Sequence, residues 1–394
     1  MDVQLADWAS LILRWLHITF GAAWIGTSFY FNWLNNHMRP VEDGPTPEGV
    51  DGELWSVHGG HFYRVVKYIN APAQLPRTLH WFKYEAYFTW FTGFSLLAVV
   101  YYLEPNAFLV DRTVMVLNPW AAVGIGLGVL VGGWLVYHLL CKSPLGNRPA
   151  PFAVLGFVLM TGLAFGLTQI FGSRAAYIHV GALIGTIMAW NVFFIIIPNQ
   201  KIVVKNLEAG EKPDPALGQA AAQRSLHNNY LTLPVLFIMV SNRYPMTFGH
   251  EWNWAVLAAL ALISAGVRHW FNVRGKGENN VWILPTAAVA MVALALVTAP
   301  QTNEYEGEVT FAMVQEIVDE HCVRCHSATP TDEIWTEAPQ GVMFDSADGI
   351  VRRATRINAQ VVISRAMPLG NVTGMTEEER SIIAAWYRRG AAGP

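Results

Sequence analysis

The chain has 394 residues, a formal net charge of −3, 53% hydrophobic residues and only 14% charged ones. Soluble domains carry about 25% charged residues. A wholly soluble globular protein is therefore excluded, no nucleic-acid partner is expected, and the length is that of two or more domains. Sixteen Trp and twenty Phe extend the apolar bias, and three cysteines leave no disulfide framework. The N-terminus lacks a basic region and its first apolar run is long enough to span a bilayer, so no cleavable signal peptide is expected.

Eight apolar stretches approach the ~20 residues needed to cross a bilayer. They cover 11–34, 81–103, 119–140, 152–171, 175–197, 226–241, 252–271 and 281–299. The sixth is short and begins with polar residues. Pro234 within it, and Gly124, Gly126, Gly128, Gly132 and Gly133 within the third, predict kinking or close helix packing. Several spans end in Trp or Tyr, as interfacial belts do. The expected fold is all-α: an eight-helix transmembrane bundle over 1–300, a linker over 301–307 and a helical domain over 308–394.

Loop charges orient the bundle. The loops after spans one, three, five and seven hold twelve basic residues: Arg39, Arg64, Lys67, Arg77, Lys142, Arg148, Lys201, Lys205, Lys212, Arg224, Arg274 and Lys276. Those after spans two, four and six hold three: Arg112, Arg174 and Arg243. Positive-inside puts the first set in the cytoplasm, with the N-terminus and the C-terminal tail on the outer, periplasmic side of a bacterial inner membrane. The loop from Asn35 to Leu79 carries Pro40, Gly44, Pro45 and Pro47, then His58-Gly-Gly-His61. It is expected to be ordered in part.

The tail carries Cys322-Val-Arg-Cys325-His326. C-x-x-C-H is the attachment signature of a c-type haem: two sulfurs add to the porphyrin vinyl groups and the adjacent His becomes an axial iron ligand. A zinc site would want two more ligands nearby, and the third cysteine, Cys141, lies far away in an apolar stretch. An outer location for this motif agrees with the side on which bacteria attach c-haem. Residues 312–321 read as an amphipathic helix leading into the motif. Thr376 with Glu379 reads as a capping box, and Arg388, Arg389 and Gly390 read as the end of the last helix. This order, with Met367-Pro368 between, resembles small class I cytochromes c. The resemblance implies Met367 as the second axial ligand, which would close the sixth position and favour electron transfer. Met343 and Met375 are the alternatives.

Ionisable groups inside spans suggest function. Near the outer side lie Arg14, His17, Arg174, His179 and Arg243; near the inner side lie His80, Glu85, His138, His227 and His269. His17, His179 and His227 are candidate proton acceptors. Arg224 through Tyr230, with Asn228 and Asn229, and Ser241-Asn242-Arg243 bracket the sixth span with the amides and cations that a flat, amide-rich or anionic ligand would need; Arg14, Arg174, Asn242 and Arg243 are the candidate ligand-binding residues. Imidazoles on facing helices could also hold a b-type haem or a metal, although no pair shows a decisive spacing.

Three stretches resemble the bacterial membrane-bound urate hydroxylases. They are Trp15-Leu-His17-Ile through Trp24-Ile-Gly26-Thr-Ser-Phe-Tyr30, then His227-Asn-Asn-Tyr230-Leu-Thr-Leu-Pro234 with Ser241-Asn242-Arg243-Tyr-Pro245, and the CxxCH tail with Met367-Pro368. The resemblance implies an eight-span domain fused to a cytochrome c, oxidising urate to 5-hydroxyisourate in purine degradation. Electrons would pass through one covalent haem c to an external cytochrome c or a terminal oxidase. It supplies no catalytic residues. Composition and spacing alone support a membrane electron-transfer protein, and leave a quinol or other small-molecule dehydrogenase, or a non-catalytic c-type electron carrier, as alternatives.

Overall fold

The computed structural model describes residues 3–42, 46, 49–69, 71–72, 74–111, 114–275, 277–299, 305–332, 335, 337–363 and 365–394. Gly44, Pro45, Pro47, Arg112, Lys276 and linker residues 301–304, singled out above, lie outside the described residues. Each of the eight predicted stretches falls on a helix. These are α1 (Val3–Asn36), α2 (84–102), α3 (Pro119–Lys142), α4 (Pro149–Thr168), α5 (Ser173–Glu208), α6 (Pro215–Ser241), α7 (Asn253–Arg274) and α8 (Ile283–Val297). Four of them, α3, α4, α5 and α7, are long and apolar enough to cross a membrane. The other four fall short for nameable reasons. The regular part of α2 has 14 residues and α8 has 15. In α1 and α6, polar groups such as Arg14, His17, Arg224 and His227 dilute the apolar content.

The helix starts follow from local chemistry. Asn118 accepts from the backbone N–H groups of Trp120 and Ala121, and Pro119 follows it at the first position of α3. Asp214 and Pro215 open α6 in the same way. That start corrects the sequence reading: Arg224, counted among loop charges, lies within α6 and is buried at 3% exposure. Lys201 and Lys205 likewise lie in the last turns of α5. Pro234 is accommodated inside α6, which continues past it.

The segment between α1 and α2 corrects the all-α expectation. It holds an antiparallel hairpin, β1 (Val50–His58) and β2 (His61–Tyr68), closed by Gly59 and Gly60 with His58 opposite His61. Both glycines have positive φ, which a tight two-residue turn requires. The histidine pair therefore faces across a strand turn.

Helix α5 is central. Of its most apolar window 61% is buried, against 11% for α3 and for α4, so α5 meets protein on most sides while its neighbours face outward. It packs on α2, α3, α4 and α6, while α1 packs on α2 and α8 on α7. Two described segments of the bundle widen to π geometry, Ala98–Tyr102 in α2 and Asn191–Ile196 in α5, and a third, Asn358–Ile363, lies in the tail. Such departures recur at functional sites. Of the five glycines in α3, Gly126 and Gly133 make the expected close approaches. A Cβ on Gly126 would lie 2.7 Å from His179 Nε2 and 2.8 Å from the Tyr102 hydroxyl. Alanine normally improves a helix over glycine by up to ~1 kcal/mol, but overpacking a closed core costs about 1–3 kcal/mol. Gly126→Ala should therefore lower the thermal midpoint of the detergent-solubilised protein. An unchanged or raised midpoint would mean that this contact is slack.

The tail has its own apolar core, which includes Val314, Val318, Ile350, Ile383 and Trp386. Its main helices are α9 (Phe311–His321), α10 (Ala347–Arg352) and α11 (Glu377–Arg388). The Thr376–Glu379 capping box is formed in both directions.

Candidate functional site

One end of the helical bundle gathers the start of α5, the ends of α2 and α6, and an early turn of α1. Arg174 Nε donates to Asn242 Oδ1 at 2.7 Å, and the Tyr101 hydroxyl reaches the same oxygen at 3.4 Å. His179 is fully buried. Its Nδ1–H donates to the Ala175 carbonyl at 2.8 Å, so its Nε2 accepts from the Tyr102 hydroxyl at 3.0 Å. Both ring nitrogens are then used within the protein, which leaves no lone pair for a metal. The Arg174 guanidinium lies over Phe108 at 5.3 Å. Arg14 stands within electrostatic range of both Arg174 and the exposed Arg243. Among the described residues neither Arg14 nor Arg243 has a carboxylate at ion-pair distance. Three guanidinium groups held together in this way attract an anion. His17 feels the Arg14 charge, and its Nδ1 donates to the Thr89 carbonyl at 2.9 Å, which leaves Nε2 as an acceptor. A Cβ on Gly93 would strike the His17 ring at 2.6 Å, so glycine there lets α2 accept the imidazole.

Five candidates named from sequence thus share this end: Arg14, Arg174, His179, Asn242 and Arg243. His17, one turn along α1 from Arg14, packs at Gly93, about 12 Å inward of Tyr101 at about 1.5 Å per helical residue. The seventh, His227, does not share this end. It lies about 25 Å away along the bundle axis, at about 1.5 Å per helical residue, beside the π segment of α5. There the Asn191 amide donates to the Tyr137 hydroxyl oxygen and to Asn228 Oδ1, both at 3.0 Å. Tyr137 in turn lies 2.9 Å from His227 Nδ1. Because its oxygen already accepts from Asn191, the Tyr137 hydroxyl is set to donate to the imidazole. Phe152 stacks on His227 with ring centroids 4.7 Å apart, and Arg224 lies over the Tyr137 ring at 5.0 Å.

Four consecutive residues of α6 fan out around the helix. His227 meets α3, Asn228 meets α5, and Asn229 accepts from Arg268 and Asn272 of α7 at 2.9 and 2.8 Å. Tyr230 reaches His269 at 2.7 Å. This fan ties α6 to three neighbours by polar contacts.

In the tail, α9 ends at His321. The next turn carries Cys322 and Cys325, both free, and closes with the His326 N–H bonded to the Cys322 carbonyl at 2.8 Å. Burial pushes the Cys322 thiol up to about 12 and the Cys325 thiol up to about 11. Burial also lowers the His326 pKa, so the ring is neutral; its Nδ1–H donates to the Val342 carbonyl at 2.9 Å and Nε2 keeps its lone pair. Met367 packs partly buried on the tail core. Its carbonyl accepts from the buried Arg380 at 2.9 Å, and Arg380 also holds the Val361 carbonyl and Asn371. Met375 is buried and Met343 is 41% exposed. Among the described residues a metal-capable trio lies in the tail, Glu320, His321 and Glu379. Both ring nitrogens of its histidine are already taken, by Thr373 and Glu379.

Glu379 gives this tail a pH dependence. Partial burial alone would raise its carboxyl pKa, but bonds from the Thr376 backbone and hydroxyl and from His321 together hold it below the usual value. A depressed carboxylate contributes stability that is present above the ordinary carboxylate pKa and lost as pH falls through the folded one. Tail unfolding, followed by circular dichroism, should therefore set in with acid below the ordinary carboxylate range, and Glu379→Gln should remove most of that slope. Identical acid transitions in the two proteins would contradict it.

Sequence reasoning missed Tyr101, Tyr102, Tyr137, Asn191 and Arg268. The available signals were an arginine one turn inside the seventh span and an asparagine in the middle of the fifth.

No curated protein and no solved structure matches the chain. The urate oxidase N-terminal family matches residues 3–299, about three quarters of the sequence. The chain belongs to the urate oxidase N-terminal family.

Proposed function

We propose that this protein is a membrane-bound urate hydroxylase, converting urate to 5-hydroxyisourate and exporting the electrons through a c-type haem in its own tail. The observation that carries the reading is the joining, in one chain, of a urate oxidase N-terminal region over 3–299 to Cys322-Val-Arg-Cys325-His326. The proposed domains are 1–300 in the membrane, with eight spans, and 308–394 as the cytochrome c unit. Helix α8 supports the membrane reading: it buries none of its residues and exposes Val289, Val292, Leu296 and Val297. Such a helix is at home in lipid and not in water.

The tail residues fit a c-type haem. The paired thiols of Cys322 and Cys325 would hold the porphyrin, the neutral His326 with its free Nε2 would ligate the iron, and Met367 would supply the sixth ligand. When bound, that group accepts electrons one at a time and hands them to an external cytochrome c or oxidase.

The reaction itself is urate plus water giving 5-hydroxyisourate, two electrons and two protons. The urate monoanion is placed at the Arg174 end of the bundle. Arg174, with Arg14 and Arg243, would hold the charge, and Asn242, oriented by Arg174 and Tyr101, would read an amide edge. His17, with Nε2 open, is the residue suited to take a proton from urate or water; the doubly bonded His179 instead fixes Tyr102. This end is also the one at which α8 finishes and the chain continues into the tail. Helix α7 begins there, its Asn253 carbonyl accepting from Tyr177 in the first turns of α5, and α8 returns after a short connection.

The test is the fate of the two electrons. Anaerobic turnover with oxidised cytochrome c as acceptor should proceed, with two cytochromes reduced per urate and no hydrogen peroxide formed. Turnover that requires dioxygen and releases one hydrogen peroxide per urate would overturn electron export.

A further inference from the structure

The bundle end opposite Arg174 holds a second polar centre that the proposed reaction does not use. Arg224 is 3% exposed, and its Nε and Nη1 have no hydrogen-bond partner among the described residues. Its remaining nitrogen reaches His138 only at 3.5 Å. Two more buried atoms beside it are equally unmatched, the Asn191 Oδ1 acceptor and the Trp134 Nε1 donor. The three surround one pair of residues. Asn191 is bonded to Tyr137, Arg224 lies over Tyr137 and against His138, and Trp134 stacks on His138 with centroids 4.9 Å apart.

Buried polar groups are normally satisfied, and leaving one unmatched is costly, most of all for a charge. Four unmatched atoms on the residues around Tyr137 and His138 describe the chemistry of what they would bind. The guanidinium edge and the indole N–H ask for an acceptor-rich anion. The Asn191 oxygen asks for an N–H or O–H on the same molecule, which chloride and fully deprotonated oxyanions lack. The flanking surfaces are flat rings: Tyr137 under Arg224, Trp134 on His138 and Phe152 on His227.

We propose that the surroundings of Arg224 are a second ligand site, for a planar, amide-bearing monoanion of the oxopurine class, separate from the site of oxidation. Arg224 would carry the anion in a forked contact, Asn191 Oδ1 would accept an N–H, and Trp134 would donate to an oxo group. On the loop-charge reading this end faces the cytoplasm, so the bundle would recognise a purine anion on both faces.

Cys141 is a built-in reporter, its sulfur 3.8 Å from His227 Nδ1. The full-length protein in lipid nanodiscs would be treated with a small alkylating reagent, with and without urate, and Cys141 modification read by peptide mass spectrometry. That readout does not depend on haem or turnover. Urate should slow Cys141 modification about tenfold when present at ~10 times its Kd. Chloride should not protect. Arg224→Gln should abolish protection, and Arg174→Gln, at the other end, should keep it. Absence of protection in the unaltered protein would overturn the proposal and leave the unmatched groups to water. Equal protection by chloride would overturn the ligand class, and protection that persists in Arg224→Gln would overturn the assignment. The arms on the unaltered protein stand even if Arg224→Gln does not fold.

Discussion

Replacing both sulfurs of the haem turn, Cys322→Ala with Cys325→Ala, should abolish covalent haem and drop urate-driven reduction of an external acceptor to the urate-free background. The two thiols are the sole covalent anchor available: the third cysteine of the chain, Cys141, lies within α3 beside His227. Urate binding to the bundle should persist, because no tail residue contributes to the Arg174 cluster described above. Haem stain on a denaturing gel and acceptor reduction measure the two losses; equilibrium binding of labelled urate measures what remains. Full turnover in the double variant would mean that electrons leave the bundle by another route.

Arg174→Gln should have the second largest effect. A hydrogen bond to a charged group contributes about 1.5–3 kcal/mol, and every ~1.4 kcal/mol is tenfold in binding. The change removes both the charge and the contact that orients Asn242, so KM for urate should rise about 10- to 100-fold. Arg174→Lys should recover only part of this, since a point charge cannot reproduce the fork that reaches Asn242 while facing an anion. A pH–rate profile separates this from damage at His17: it should keep its shape in both arginine variants. A KM unchanged in Arg174→Gln would move the substrate away from this end.

The helices were legible because an apolar run of bilayer length leaves few alternatives, and all eight stretches are helical. Their ends were less so. Amphipathic turns that extend a helix past its apolar run carry no hydropathy signal, which is why Arg224 reads as a loop charge while it is buried inside α6. The hairpin at 50–68 has strand-forming residues around Gly59-Gly60, but the prolines before it, Pro40, Pro45 and Pro47, favour loop and mask that signal. The CxxCH turn and the Thr376–Glu379 cap were readable because their chemistry is local. The polar partnerships were not. Tyr102 and His179 lie 77 positions apart and Tyr101 and Asn242 lie 141 apart, and only the packing of α2, α5 and α6 brings them together. All seven bundle candidates could be named from sequence, and loop charges already set His227 on the side opposite Arg14, Arg174 and Arg243; which side chains they bond to required the fold.

The central claim is that urate's electrons pass into a haem tethered to the same chain. Purified, haem-loaded, fully oxidised protein mixed anaerobically with urate, with no other acceptor present, addresses it directly. Reduction of the c-type haem, with one urate consumed for every two haems reduced, is the expected result. A haem that stays ferric while the protein binds urate would contradict it.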